Sequence, residues 1–176
     1  SHRELEYTFY AKVMDMQELE KAVKKEKHEQ WNIPIETDKP VRQRIRLVDD
    51  RRHTLTMKVF SPGRAGVDET TIDVSEHCFN ALRMAGKDGY IKTRYVFPIP
   101  NSSLIWEIDV FLDNMGKPHP WVKIDLEIQN EGETIPEFPI RLEEVILDNG
   151  PKQSVREIAF VESLWKKHWF QIDRHG

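Results

Sequence analysis

A single cysteine, Cys78, stands among 176 residues. One thiol can form neither an internal disulfide nor a multi-cysteine zinc site, and this fits a reducing compartment and a cytoplasmic location. Long apolar runs are missing as well. No stretch approaches the roughly 20 residues that cross a bilayer as a helix, and no signal-peptide pattern precedes the first strand, so no membrane partner is expected. A basic excess is also missing: 26 Lys and Arg stand against 30 Asp and Glu. That balance argues against a general nucleic-acid binder. Glycine-rich phosphate loops, G-x-S-x-G elbows and H-E-x-x-H helices do not occur.

What the chain has is charge of both signs, 32% of its residues. Ser1-His2 resemble a tag remnant, and residues 3–176 read as one domain, long enough to bury a core. Alternating runs place strands at about 3–12, 41–49, 53–61, 66–73, 90–98, 104–112, 120–129 and 138–146. Three helices are expected. The first follows Asp15 with Glu18 in a capping-box-like start, buries Met16, Leu19, Ala22 and Val23, and continues as a solvated face over Lys24 to Gln30. The second starts near Ser75, buries Cys78, Phe79 and Leu82, and stops at Gly86. The third starts at Ser154, with Val155, Ile158, Ala159, Val161, Leu164 and Trp165 on one stripe. Trp165 and Trp169 read as packing against the strand layer, with a homodimer face as the alternative. The seven histidines show no metal spacing. His28, on the solvated helix end, and His119, in a Pro-flanked turn, read as surface residues.

Splitting each strand by parity separates an apolar from an ionic face. Arg42, Arg44 and Arg46 oppose Ile45 and Leu47; Thr56 and Lys58 oppose Leu55, Met57 and Val59; Lys92 and Arg94 oppose Ile91, Thr93 and Tyr95. Glu4 and Glu6 oppose Leu5 and Tyr7; Glu107 and Asp109 oppose Trp106, Ile108 and Val110; Lys123, Asp125 and Glu127 oppose Val122, Ile124, Leu126 and Ile128. A solvated face explains any one strand. It does not explain strands whose ionic face carries one sign only, because like charges on one strand repel. Turning those faces inward brings acids and bases around a common space, and about eight strands suffice to close a barrel with a lumen for a ligand. The expected fold is therefore α+β: a closed or nearly closed antiparallel eight-stranded β-barrel with flanking helices. Acids that can ligate hard cations facing bases that can bind phosphate oxygens suit metal-assisted chemistry on a polyphosphate.

The order of these motifs resembles the CYTH, or triphosphate tunnel metalloenzyme, superfamily. Glu4-Leu5-Glu6-Tyr7-Thr8 is similar to its ExExK strand, Arg44-Ile45-Arg46 to its RxR strand, and Leu55-Thr56-Met57-Lys58 to its TxK strand. Lys92-Thr93-Arg94-Tyr95 matches KTRY, Glu107-Ile108-Asp109-Val110-Phe111 matches ExDVF, and Asp125-Leu126-Glu127 resembles the late ExE strand. The resemblance runs from residue 4 to about 148. It implies that Glu4, Glu6 and Glu127 bind one Mg²⁺ or Mn²⁺, with Glu107, Asp109 and Asp125 completing the acidic set. It implies that Arg44, Arg46, Lys58, Lys92 and Arg94 grip a triphosphate, and that Glu4, Glu6, Lys58 and Arg94 form the catalytic set. In a hydrolase a water activated by the metal attacks the terminal phosphorus; in a class IV adenylyl cyclase the ribose 3′-hydroxyl attacks instead.

The chain departs from the family at three places. Thr8 stands where the first strand has lysine, and Lys12, on the same face, lies about 13 Å further along. Glu69 is followed by Thr71 rather than a second acid. Glu144-Val145-Ile146-Leu147-Asp148 resembles the start of the closing segment, but its basic residue has only Lys152 as a substitute. The expected function is a divalent-metal-dependent phosphohydrolase acting on an inorganic or organic triphosphate. The alternatives are a non-catalytic module binding a polyphosphate, a nucleotide or a phosphorylated RNA end, and the cyclase.

Overall fold

The structure is a computed structural model that describes residues 2–61, 66–130 and 133–149. Nine strands appear among the described residues: β1 (His2–Val13), β2 (Lys24–Asn32), β3 (Val41–Val48), β4 (Arg52–Phe60), β5 (Val67–Asp73), β6 (Lys87–Pro98), β7 (Ile105–Leu112), β8 (Pro118–Ile128) and β9 (Leu142–Asn149). A 3₁₀ turn covers Met16–Lys21, and one α-helix, α1, spans Glu76–Arg83. The sheet order is β5-β4-β3-β2-β6-β7-β8-β1-β9, with every pairing antiparallel. The start of β1 also pairs with β5, Glu4 opposite Val67, which closes the eight strands from β5 to β1 into a ring, while β9 pairs with the later half of β1.

The core lies outside this ring. Phe9, Ala11, Trp106, Ile108, Val110, Val122, Ile124 and Leu126 form the outer face of β1, β7 and β8, capped by Leu19, Phe138 and Ile140. Across the ring, Trp31, Ile33 and Ile45 on β2, the segment after it and β3 pack under Phe79 of α1. A sheet that buries its apolar side outward must turn its polar side inward, which positions the site. Gly89 serves the second core directly, since a Cβ there would meet the Trp31 ring at 2.3 Å.

The capping of α1 agrees with the sequence: the Ser75 side chain accepts from the Cys78 amide at 3.0 Å. Phe79 is buried, but Cys78 is only half-buried, so it is a flanking thiol rather than a core one. The largest correction concerns residues 24–30, which form β2 instead of extending the first helix. Glu26, His28 and Gln30 point into the ring while Lys25 and Lys27 point to solvent. Both faces before Trp31 are thus polar, and no apolar alternation marks the strand. Val23, expected on the helical stripe, is exposed. His28 is a correction too: it is 2% exposed, not a surface residue. His119 lies within β8 and accepts from the Trp121 amide through Nδ1 at 3.0 Å. The last strand starts at Leu142, because Phe138 and Ile140 pack on the core instead of entering the sheet. The helix expected from Ser154, with Trp165 and Trp169, lies outside the described residues.

Candidate functional site in the lumen

The parity split places the candidate side chains inside the ring. Leu5, Tyr7 and Phe9 pack on the outer core, so Glu4, Glu6 and Thr8 of β1 face in. Arg44 and Arg46 of β3, Lys58 of β4, Lys92 and Arg94 of β6, Glu107 and Asp109 of β7, and Asp125 of β8 do likewise. Glu127 sits directly across from Glu6 in the β1–β8 register but is exposed, at the rim.

Two ionic clusters result. In the first, Asp109 is fully buried, and Lys92 Nζ lies 2.6 Å from its Oδ2. Arg94 donates from Nε to Oδ1 at 2.8 Å and from its terminal nitrogen to Oδ2 at 3.0 Å. Cross-strand register explains this fork, because Arg94 stands opposite Asp109. Burial works against the carboxylate, but Lys92 and Arg94 overcome it and hold Asp109 well below the ordinary carboxylate range. A further nitrogen of Arg94 lies 3.2 Å from Glu107. Next to this cluster, Arg46 donates to the Gln30 carbonyl at 2.9 and 2.6 Å. Burial, then Arg44 and Arg94 alongside, lower the Arg46 guanidinium. Arg44 Nε is buried without a hydrogen-bond partner, an unspent donor in a region rich in positive charge.

In the second cluster acids predominate. Lys58 Nζ lies 3.2 Å from Glu4 and 3.5 Å from Glu69. The Thr8 hydroxyl donates to Asp125 Oδ1 at 2.8 Å, and Lys123 Nζ lies 3.4 Å from Asp125 Oδ2. Burial, followed by the Asp125 and Glu4 charges, pushes the Glu6 carboxyl up to about 8. Burial raises Glu4 as well, against the pull of Lys58.

Sequence reading assigned no role to several lumen residues. His28 stands across from Lys92; burial, then Arg46, Lys92 and Arg94, drive its imidazole down to about 2, so it is neutral. Gln30 links Arg46 to the Tyr90 hydroxyl. Both come from β2, and only the 2-residue spacing of polar side chains before Trp31 could have signalled them. Lys123 lies on the inward face that its parity gives, beside Asp125.

The donor chemistry of Glu4, Glu6 and Asp125 fits Mg²⁺ or Mn²⁺: hard carboxylate oxygens, with Glu6 raised first by burial and then by the charges of Asp125 and Glu4. Asp109 fits poorly, because Lys92 and Arg94 take both its oxygens. Among the described residues no three His, Cys, Asp or Glu converge as a metal-holding group. A cavity of about 370 Å³ lies outside the ring, lined by Glu18, Phe138, Ile140 and Arg141, away from these clusters.

No protein-family model matches the chain, and no curated protein matches its sequence. Among solved structures, a "putative adenylate cyclase" from Bacillus halodurans is similar with a TM-score of 0.48 and 17% identity, over 74% of this chain and 84% of that one.

Proposed function

We propose that the lumen binds a triphosphate-bearing small molecule and hydrolyses it with the help of Mg²⁺ or Mn²⁺. The observation that supports this reading is a surplus of bases on one part of the ring's inward face and a surplus of acids on another. Arg44, Arg46, Lys92 and Arg94 gather in one part, with Arg44 Nε unspent, and Glu4 and Asp125 lie near enough to Glu6 in the other for their charges to act on it. A triphosphate carries about four negative charges near neutral pH, and phosphoryl transfer is catalysed chiefly by positioning and by offsetting that charge.

In this reading Arg44 and Arg46 bind non-transferred phosphate oxygens, and Arg94 reaches the terminal phosphate while still braced by Asp109. Glu4, Glu6 and Asp125 would hold the divalent ion, which when bound would supply charge neutralisation and lower the pKa of an attacking water. Lys92 is too committed to Asp109 to be a first contact. It keeps that carboxylate, and through it the Arg94 fork, in place.

Two measurements test the proposal. Tripolyphosphate or ATP incubated with Mn²⁺ should release orthophosphate, and Arg94→Ala should weaken tripolyphosphate binding in calorimetry by about 1–3 kcal/mol. Thermal stabilisation by ligand without turnover over a broad panel would favour a binding module. Pyrophosphate and cyclic AMP from ATP would favour a cyclase. Absence of both binding and turnover would sink the reading.

A further inference from the structure

Two lysines occupy the places where the acids of the lumen need a cation. Lys58 sits at the seam that closes the ring. Its single ammonium lies 3.2 Å from Glu4 of β1 and 3.5 Å from Glu69 of β5. Lys123 lies 3.4 Å from Asp125, whose other oxygen the Thr8 hydroxyl holds at 2.8 Å. Both side chains keep some exposure, 23% and 29% against 2% for Lys92, and the Asp125 carboxylate holds the Lys123 ammonium firmly in its charged form. Each can therefore turn to another partner at little cost in packing.

We propose that Lys58 and Lys123 are resident counter-cations that make metal and polyphosphate binding mutually dependent. In the ligand-free lumen the two ammonium groups compete with a divalent ion for Glu4, Glu69 and Asp125. The same ion pairs withhold both ammonium groups from a phosphate. With an ion bound at the acids, Lys58 and Lys123 lose their partners and turn to the phosphate oxygens. With a polyphosphate bound, they leave the acids, which then lack a cation. Each ligand thus removes the cost that the other would meet, and linkage makes the effect reciprocal. The inference rests on the reading of the lumen as a metal and phosphate site, and gives Lys123 a part that nothing else assigns to it.

The test is calorimetric titration of the full chain with Mn²⁺ alone and with tripolyphosphate alone, in wild type, Lys58→Met and Lys123→Met. Removing a competing ammonium should tighten Mn²⁺ binding by about fivefold or more, while tripolyphosphate binding weakens by a similar factor. Opposite signs are the signature, because a merely structural lysine would weaken both or neither. Lys58→Arg, which keeps the charge, should behave as wild type toward Mn²⁺. Mn²⁺ affinity that falls or stays unchanged in both methionine variants overturns the proposal. If Lys58→Met does not fold, Lys123→Met decides alone, and if that too fails to fold without Mn²⁺ but folds with it, the counter-cation role stands. Wild type that takes up Mn²⁺ but no tripolyphosphate defeats the proposed function, and the Mn²⁺ titrations still decide the counter-cation role.

Discussion

The two ionic clusters of the lumen differ in which sign is in surplus, and so in what each can still do. Asp109 faces Lys92 and Arg94, with Glu107 on the far side of Arg94 and with Arg46 and Arg44 beyond. The acid is saturated, and the unmet need is for an anion. Around Glu6, three carboxylates share Lys58 and Lys123, and the unmet need is for a cation, expressed as a carboxyl at about 8. Burial is shared by both clusters. What separates them is charge balance, which turns one into a rigid brace and leaves the other open to a proton.

The most severe break in this comparison is Asp109→Ala. It strands Lys92 at 2% exposure beside Arg94 and Arg46, and loss of one partner of a buried pair costs about 3–5 kcal/mol. Urea denaturation should show this, whereas Glu4→Gln, in the other cluster, should leave folding nearly intact and instead weaken Mn²⁺ binding.

A smaller effect separates the clusters by pH. In the fold Glu6 titrates at about 8 against 4.5 for the free side chain, so the folded protein keeps a proton that the unfolded chain releases. Its contribution is complete below the lower value and is lost as pH rises through the upper one. His28 runs the other way. At about 2 against 6.5, its contribution is complete above the upper value and is lost as pH falls. Urea melts across pH should therefore give a maximum between the two limbs. Glu6→Gln should flatten the alkaline limb by about 2 kcal/mol, after allowance for residual solvent screening, and His28→Asn should flatten the acid limb.

The smallest effect is expected of Thr8→Val. It keeps the shape but removes the hydroxyl that holds Asp125, at a cost of about 1 kcal/mol in thermal or urea melts. Together with Lys123, Thr8 gives Asp125 one neutral and one charged partner.

The faces of most strands were legible because side chains alternate with period two, and a charged set opposite an apolar set leaves little choice of orientation. Arg44 and Arg46, Lys92 and Arg94, and Glu107 and Asp109 all face in as their parity requires. β2 was illegible for the same reason: its inward face is polar because it meets the charged side chains inside the ring, and its outward face before Trp31 is polar by exposure. The rule that reads strands from apolar alternation fails where the lumen and the solvent both demand polar residues. His28 and Gln30 were lost with it.

Which residues share a face is a local property, and the sequence by itself determined it, together with the antiparallel class, the cap of α1 and the presence of two opposed charge sets. Which acid meets which base is set by register and ring closure, which only the tertiary structure decided. Arg94 finds Asp109 because β6 and β7 align them, and Lys58 finds Glu4 because the start of β1 returns to β5. The charge on each residue depends in turn on those partners. No local pattern could therefore have distinguished Asp109, a spent carboxylate, from Glu6, an open one.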